Sequence, residues 1–142
     1  MGENEKRILV VDDDASIRAL LMTILRRRGL KVDAVPNGIE ALDRCSKCHY
    51  SVALLDLMMP LMSGYEFLAE IAKMPKSQRP IIIVLTAGTP PPQLDPDVVA
   101  GSLKKPFDIG MLVDTVTSCM TTVDGQRQSP ECPGADSERA LN

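Results

Sequence analysis

The sequence has no tryptophan, only two phenylalanines and two tyrosines, and a single histidine. A core must therefore be aliphatic, and a broad aromatic surface is excluded. It has no excess of positive charge either: 16 Lys and Arg against 19 Asp and Glu give −3 at neutral pH. A nucleic-acid clamp normally carries the opposite balance, so none is expected. No run approaches the ~20 apolar residues that span a bilayer. The polar start, Met1 to Arg7, lacks the long apolar stretch and small-residue cleavage site of a secretory signal. The expectation is a cytoplasmic protein with reduced thiols, whose four cysteines do not imply two disulfides. What remains is 142 residues, 44% hydrophobic and 25% charged, the profile of one globular domain.

Residues 1–6 are a polar lead. From residue 7 to 120 two periods alternate. Ile8-Leu9-Val10-Val11 is an apolar strand that stops at three aspartates. A helix follows from Ala15, with Ile17, Leu20, Leu21, Ile24 and Leu25 at helical spacing. Asp14 is placed to cap it and Gly29 to end it. Val32–Val35 reads as a second strand, and Asn37-Gly38 turns into a helix with Ile39, Ala41, Leu42 and Cys45 on its apolar side. Ser51–Asp56 is a third strand. A helix after Gly64 carries Phe67, Leu68 and Ile71. Pro80–Thr86, β-branched and apolar on both faces, reads as a central strand. Pro90, Pro91, Pro92 and Pro96 then forbid regular helix, leaving one short turn capped at Asp95. A brief strand around Ser102–Lys104 precedes a last helix from Asp108, with Ile109, Leu112, Val113 and Val116 as its buried stripe. Residues 121–142, with Pro130 and Pro133 and few large apolar side chains, read as a flexible tail.

Five apolar strands joined by helices predict a doubly wound, five-stranded parallel α/β sheet. Functional residues then belong at the carboxyl ends of the strands. Asp12, Asp13, Asp56, Thr86 and Lys105 all fall at such ends. Three carboxylates in one pocket repel each other, and a hard divalent cation relieves the conflict. Mg²⁺ is the expected ion, with Asp13 and Asp56 as direct ligands, Asp12 direct or through water, and the backbone carbonyl of Met58 as a further oxygen. A carboxylate beside such an ion can attack phosphorus, and Asp56 is the candidate. Lys105 would balance phosphoryl charge, and the Thr86 hydroxyl would donate to a phosphoryl oxygen.

The segments Ile8–Asp14, Leu54-Leu55-Asp56-Leu57-Met58-Met59-Pro60 with Gly64, Leu85-Thr86-Ala87, and Lys105-Pro106-Phe107 together resemble the response-regulator receiver domain of two-component signalling, a CheY-like, flavodoxin-like fold. The resemblance spans residues 7–120. It implies phosphoryl transfer from a histidine kinase or phosphotransfer protein to Asp56, Mg²⁺ at the acidic pair, a cis Lys105–Pro106 bond, and a switch in which Thr86 moves with an aromatic residue on strand five. It implies no enzyme activity beyond self-phosphorylation and slow autodephosphorylation. Three departures stand out. Ser102 occupies the aromatic switch position. The helix between strands four and five should be shortened or lost. Leu61 and Ser63 replace the Gly and Asp often seen after Met-Pro. The first expectation is a stand-alone phosphoacceptor that signals by binding an unidentified downstream protein or by phosphorelay, as a monomer or weak dimer. The second is a phosphate-independent adaptor that uses the altered surface.

Two motifs point elsewhere. Cys45-Ser46-Lys47-Cys48-His49 matches the c-type haem attachment pattern. With no signal sequence and Cys45 on an apolar stripe, it is read as chance, and no haem is expected. A zinc site there needs a fourth ligand, for which Cys119 and Cys132 are poorly placed. Arg26-Arg27-Arg28 with Lys31 reads as a solvated helix end, where cations suit the dipole.

Overall fold

The computed structural model of the chain describes residues 7–59, 61–87 and 94–123. Five parallel strands, β1 (Arg7–Val11), β2 (Lys31–Val35), β3 (Val52–Asp56), β4 (Ile81–Thr86) and β5 (Val99–Lys104), lie in the order β2-β1-β3-β4-β5. The helices are α1 (Ala15–Arg27), α2 (Gly38–Lys47), α3 (Gly64–Ile71) and α4 (Ile109–Val123), with one 3₁₀ turn at Lys76–Gln78. The doubly wound parallel sheet is as expected.

β1 and β3 are buried along their whole length, which is why they read as unbroken apolar runs. Alternate side chains serve two cores. Ile8, Val10, Leu54, Ile83 and Leu85 meet α1 and α4 through Leu21, Leu25, Leu112 and Val116. Leu9, Val11, Leu55, Ile82 and Val84 meet α2 and α3 through Ala41, Phe67, Leu68 and Ile71. Each such burial stabilises by about 1.5–3 kcal/mol.

The helix ends are fixed locally. The Asp14 carboxylate accepts the N–H groups of Ser16 and Ile17, and Asn37 accepts that of Glu40 at 2.9 Å. Gly29, at φ +81°, closes α1 in the left-handed region that glycine tolerates. Ser63 and Glu66 form a reciprocal capping box at α3. Its S-x-x-E spacing is readable in the sequence but is not among the expectations above.

Several expectations need correction. β3 holds the centre of the sheet; β4 is paired on both sides but lies off-centre. β5 starts at Val99, and the turn at Asp95–Val98, where the Asp95 carbonyl accepts from Val98 and Val99, is shorter for it. In line with the expected shortening, no helix lies between β4 and β5 among the described residues; Pro90, Pro91 and Pro92 fall outside them. Ile39 and Ile109, expected on buried stripes, are exposed, as is Leu20. α4 continues to Val123, inside the segment read as tail. Among the described residues no helix is long and apolar enough to cross a membrane.

Candidate functional site

The parallel register delivers the site. β1 and β3 run side by side with Val11 opposite Leu55, so the residues that follow or end them, Asp12 and Asp56, share one edge. β4 and β5 pair Thr86 with Lys104, and the Lys105 N–H donates to the Thr86 carbonyl at 2.6 Å. All five expected side chains therefore come from four strand ends to one edge of the sheet. The Lys105–Pro106 bond is cis.

Asp12 is fully buried, Asp56 and Thr86 are buried, and Asp13 is exposed. The Lys105 ammonium lies 3.0 Å from Asp12 Oδ2 and 3.7 Å from Asp56 Oδ2. Asp12 Oδ1 accepts the Asp14 N–H at 2.9 Å, and its backbone carbonyl accepts from Arg18 at 2.8 Å. Asp56 Oδ1 accepts the Met58 N–H at 3.1 Å. Asp12, Asp13 and Asp56 each offer a carboxylate oxygen, all within 4.8 Å of one another.

These distances shape the electrostatics. Burial pushes the Asp56 carboxyl above its usual range; Asp12 and Asp13 push the same way, against the Met58 N–H and Lys105. Burial alone would lower the Lys105 ammonium, but the hydrogen bond and charge of Asp12, then Asp56 and Asp14, raise it. Three carboxylates face one ammonium, so the pocket carries uncompensated negative charge. An all-oxygen set with that deficit suits a hard divalent cation and not a soft one. Among the described residues this is the one cluster of metal-ligating side chains.

The Cys45–His49 motif is differently disposed. Cys45 packs against the α2–α3 core, and burial pushes its thiol up to about 12. Cys48 is buried and disulfide-bonded, while Cys45 and Cys119 are free. Neither Cys45 nor Cys48 presents a thiolate to a metal.

A second polar cluster went unread in the sequence. Asp33, buried in β2, accepts from Tyr50 Oη at 2.6 Å, Arg44 at 3.0 Å and Arg7 at 3.1 Å. The available signal was a charged residue inside the apolar strand Val32–Val35. The cluster ties α2 to the strands and stands apart from the carboxyl edge.

Comparison with known proteins places this geometry. A family model described as a response regulator receiver domain matches residues 8–117. The chain is 42% identical over 85 residues to the transcriptional regulatory protein ResD of Bacillus subtilis, covering 60% of this chain and 35% of ResD. It thus spans about a third of that relative's length. Protein Rrf1 of Nitratidesulfovibrio vulgaris is 30% identical over 130 residues, with 91% of this chain and 94% of that protein covered. The response regulator TrrA of Thermotoga maritima, solved in complex with Mg²⁺ and beryllium fluoride, superposes with a TM-score of 0.72 at 36% identity, covering 80% of this chain and 98% of that one. The chemotaxis protein CheY4 of Vibrio cholerae gives 0.72 at 31% identity, with the same coverage.

Proposed function

The chain belongs to the response regulator receiver family, and on that premise we propose that it accepts a phosphoryl group on Asp56 from a phosphohistidine of a histidine kinase or phosphotransfer protein. The observation that carries this reading is the gathering of Asp12, Asp13 and Asp56 oxygens within 4.8 Å, with Lys105 Nζ at 3.0 and 3.7 Å from two of the carboxylates.

In the transfer, an Asp56 oxygen bonds to phosphorus as the P–N bond to the donor imidazole breaks. The departing imidazole keeps the electron pair and takes up a proton. Lys105 holds positive charge beside the incoming phosphoryl oxygens. Thr86, at the end of β4, donates its hydroxyl to one of them. Asp13 and Asp56, with Asp12 and the Met58 carbonyl, would hold Mg²⁺, which supplies charge neutralisation and orientation of the phosphoryl group. Hydrolysis of the acyl phosphate returns the carboxylate slowly. The module works in the cytoplasm and acts through a downstream protein.

A specific feature favours a second reading. β5 exposes Ser102 where the resemblance expects a ring, so a relay through that position is missing. On this reading the fold is an adaptor whose binding ignores Asp56. The test is incubation with acetyl phosphate and Mg²⁺, followed by intact-mass measurement and hydroxylamine treatment. One hydroxylamine-labile phosphoryl group, absent in Asp56→Asn, supports the phosphoacceptor. No adduct under conditions that label another receiver overturns it.

A further inference from the structure

The exposed large hydrophobic side chains of the described residues are not scattered. Leu20 alone sits in mid-helix. Ile109 and Met111 open α4, and the rest belong to α2, α3 and the loop after Asp56. Met58 and Leu61 are the most exposed of all, at 74% and 77%, with Ile39 at 53% and Tyr65 at 36%. β5, by contrast, has Ala100, Ser102 and Lys104 as its exposed residues, with Val99 and Gly101 half-buried.

Two close approaches draw the segments that carry these four residues together. A Cβ on Gly38 would lie 2.8 Å from Met62 Cγ, so the start of α2, where Ile39 follows, abuts the loop holding Leu61 and Met62. A Cβ on Gly64 would lie 2.6 Å from Leu57 Cα, and the Gly64 N–H donates to the Leu57 carbonyl at 2.9 Å. That clamp brings the start of α3, where Tyr65 follows, against the start of the loop that carries Met58. Contiguous exposed apolar patches of this kind mark interaction sites.

The surroundings define the occupant. The segments carrying the patch, residues 37–41 and 56–67, contain no Lys or Arg; Asp56 is buried beside Lys105, which leaves Glu40 and Glu66 as their surface charges. Glu40 and Glu66 are both exposed. A complementary partner carries apolar anchors flanked by cations, which is the pattern of a basic amphipathic helix. The patch is also wired to the acceptor, since the Met58 N–H is the donor to Asp56 Oδ1. Phosphorylation removes a full carboxylate from that N–H, so the backbone under Met58 must find a new balance.

We propose that Ile39, Met58, Leu61 and Tyr65 dock a basic amphipathic helix of a partner protein, and that the state of Asp56 sets the affinity through the Met58 N–H. The docking half stands on exposure and charge alone; the regulatory half rests on the phosphoacceptor reading.

The probe is a fluorescent Leu–Lys peptide of about 18 residues, five helical turns, with leucines on one face; a Leu–Glu peptide of the same pattern is its control. Anisotropy with the full chain should show binding of the basic peptide only. Ile39→Ser with Met58→Ser should weaken it at least about tenfold, about 1.4 kcal/mol, while Leu20→Ser leaves it unchanged. Amide shift mapping on the unsubstituted protein should place the perturbations at residues 39, 58, 61 and 65, which keeps the test valid should a variant misfold. Equal binding of the acidic peptide, or perturbations centred elsewhere, overturns the docking. Self-association lost in the same double variant also overturns it, by assigning the patch to a second copy. With phosphoryl occupancy followed by mass, acetyl phosphate and Mg²⁺ should change the affinity at least about threefold. Full occupancy with unchanged affinity overturns the coupling. Absent occupancy overturns the phosphoacceptor reading and the coupling together, and leaves docking to be judged on the unmodified chain.

Discussion

Lys105 Nζ donates to Asp12 Oδ2 at 3.0 Å, joining residues 93 apart in sequence. Asp12 is fully buried, and this ammonium is the cation its carboxylate meets there. Lys105→Met should therefore destabilise the metal-free protein by about 1.5–3 kcal/mol, the range for a hydrogen bond to a charged group. The raised Lys105 value means its contribution is complete below the ordinary 10.5 and lost as pH rises through the folded value. The deficit should hold constant across neutral pH and shrink only in strong alkali. Urea unfolding at several pH values measures it, and equal midpoints for variant and parent would refute the pairing.

At Asp56 the fold favours the uncharged form instead. Its folded pKa is raised above the ordinary 3.8, so ionising it costs stability, and that cost is incurred as pH rises through the folded value. Asp56→Asn should melt a few degrees higher than the parent at neutral pH without metal, and the gap should close as pH falls below the ordinary carboxylate value. A gap that widens in acid would reverse the assignment.

Metal should invert that ranking. Mg²⁺ at 100 times its dissociation constant stabilises a one-site protein by about 2.7 kcal/mol. The parent should gain most, Asp56→Asn less, and Asp13→Ala almost nothing. Thermal melts across a Mg²⁺ titration give the ordering, and a parent melt that ignores Mg²⁺ at millimolar levels, as does Asp13→Ala, would remove the site.

The carboxyl edge was legible because each strand ends abruptly in a polar residue: Val11 before Asp12, Leu55 before Asp56, Leu85 before Thr86. Strand chemistry is local, and the parallel rule does the assembling. Buried stripes were less legible. Ile39 and Ile109 fit a helical period, yet each sits in the first turn of its helix and is exposed there. Asp33 was hidden for the converse reason. Its partners Arg7, Arg44 and Tyr50 come from three other segments, and only the packed fold brings them together.

That cluster supplies a stability test remote from the site. Asp33 neutralises two guanidinium groups and accepts from a tyrosine whose hydroxyl is held well above its ordinary pKa, first by burial and then by Asp33 itself. Asp33→Ala removes the carboxylate that both guanidinium groups meet, and loss of one partner of a buried pair costs about 3–5 kcal/mol. Tyr50→Phe removes one hydrogen bond to a charged group, about 1.5–3 kcal/mol. Denaturant curves should rank Asp33→Ala well below Tyr50→Phe. The reverse order would show that the tyrosine, not the carboxylate, organises the cluster.

The loop after Asp56 places its residues against ordinary preference. Leu61 stands at φ +71°, where an L side chain crowds its own backbone at about 1–2 kcal/mol. Three residues on, Gly64 occupies a position where a Cβ would meet Leu57 Cα at 2.6 Å and the Asp56 carbonyl oxygen at 2.8 Å, both backbone atoms. Leu61→Gly should therefore leave stability unchanged or raise it by up to about 1 kcal/mol, the relief being partly offset by the greater freedom of glycine in the unfolded chain. Gly64→Ala should cost about 1–3 kcal/mol and should slow phosphorylation as well, because the atoms it displaces carry the acceptor. Equilibrium unfolding and labelling by acetyl phosphate read the two effects separately. A Gly64→Ala protein with parental stability and labelling rate would mean that α3 does not press on the acceptor strand. The Asp56–Met58 hydrogen bond would then carry the link between the carboxylate and the described part of the loop.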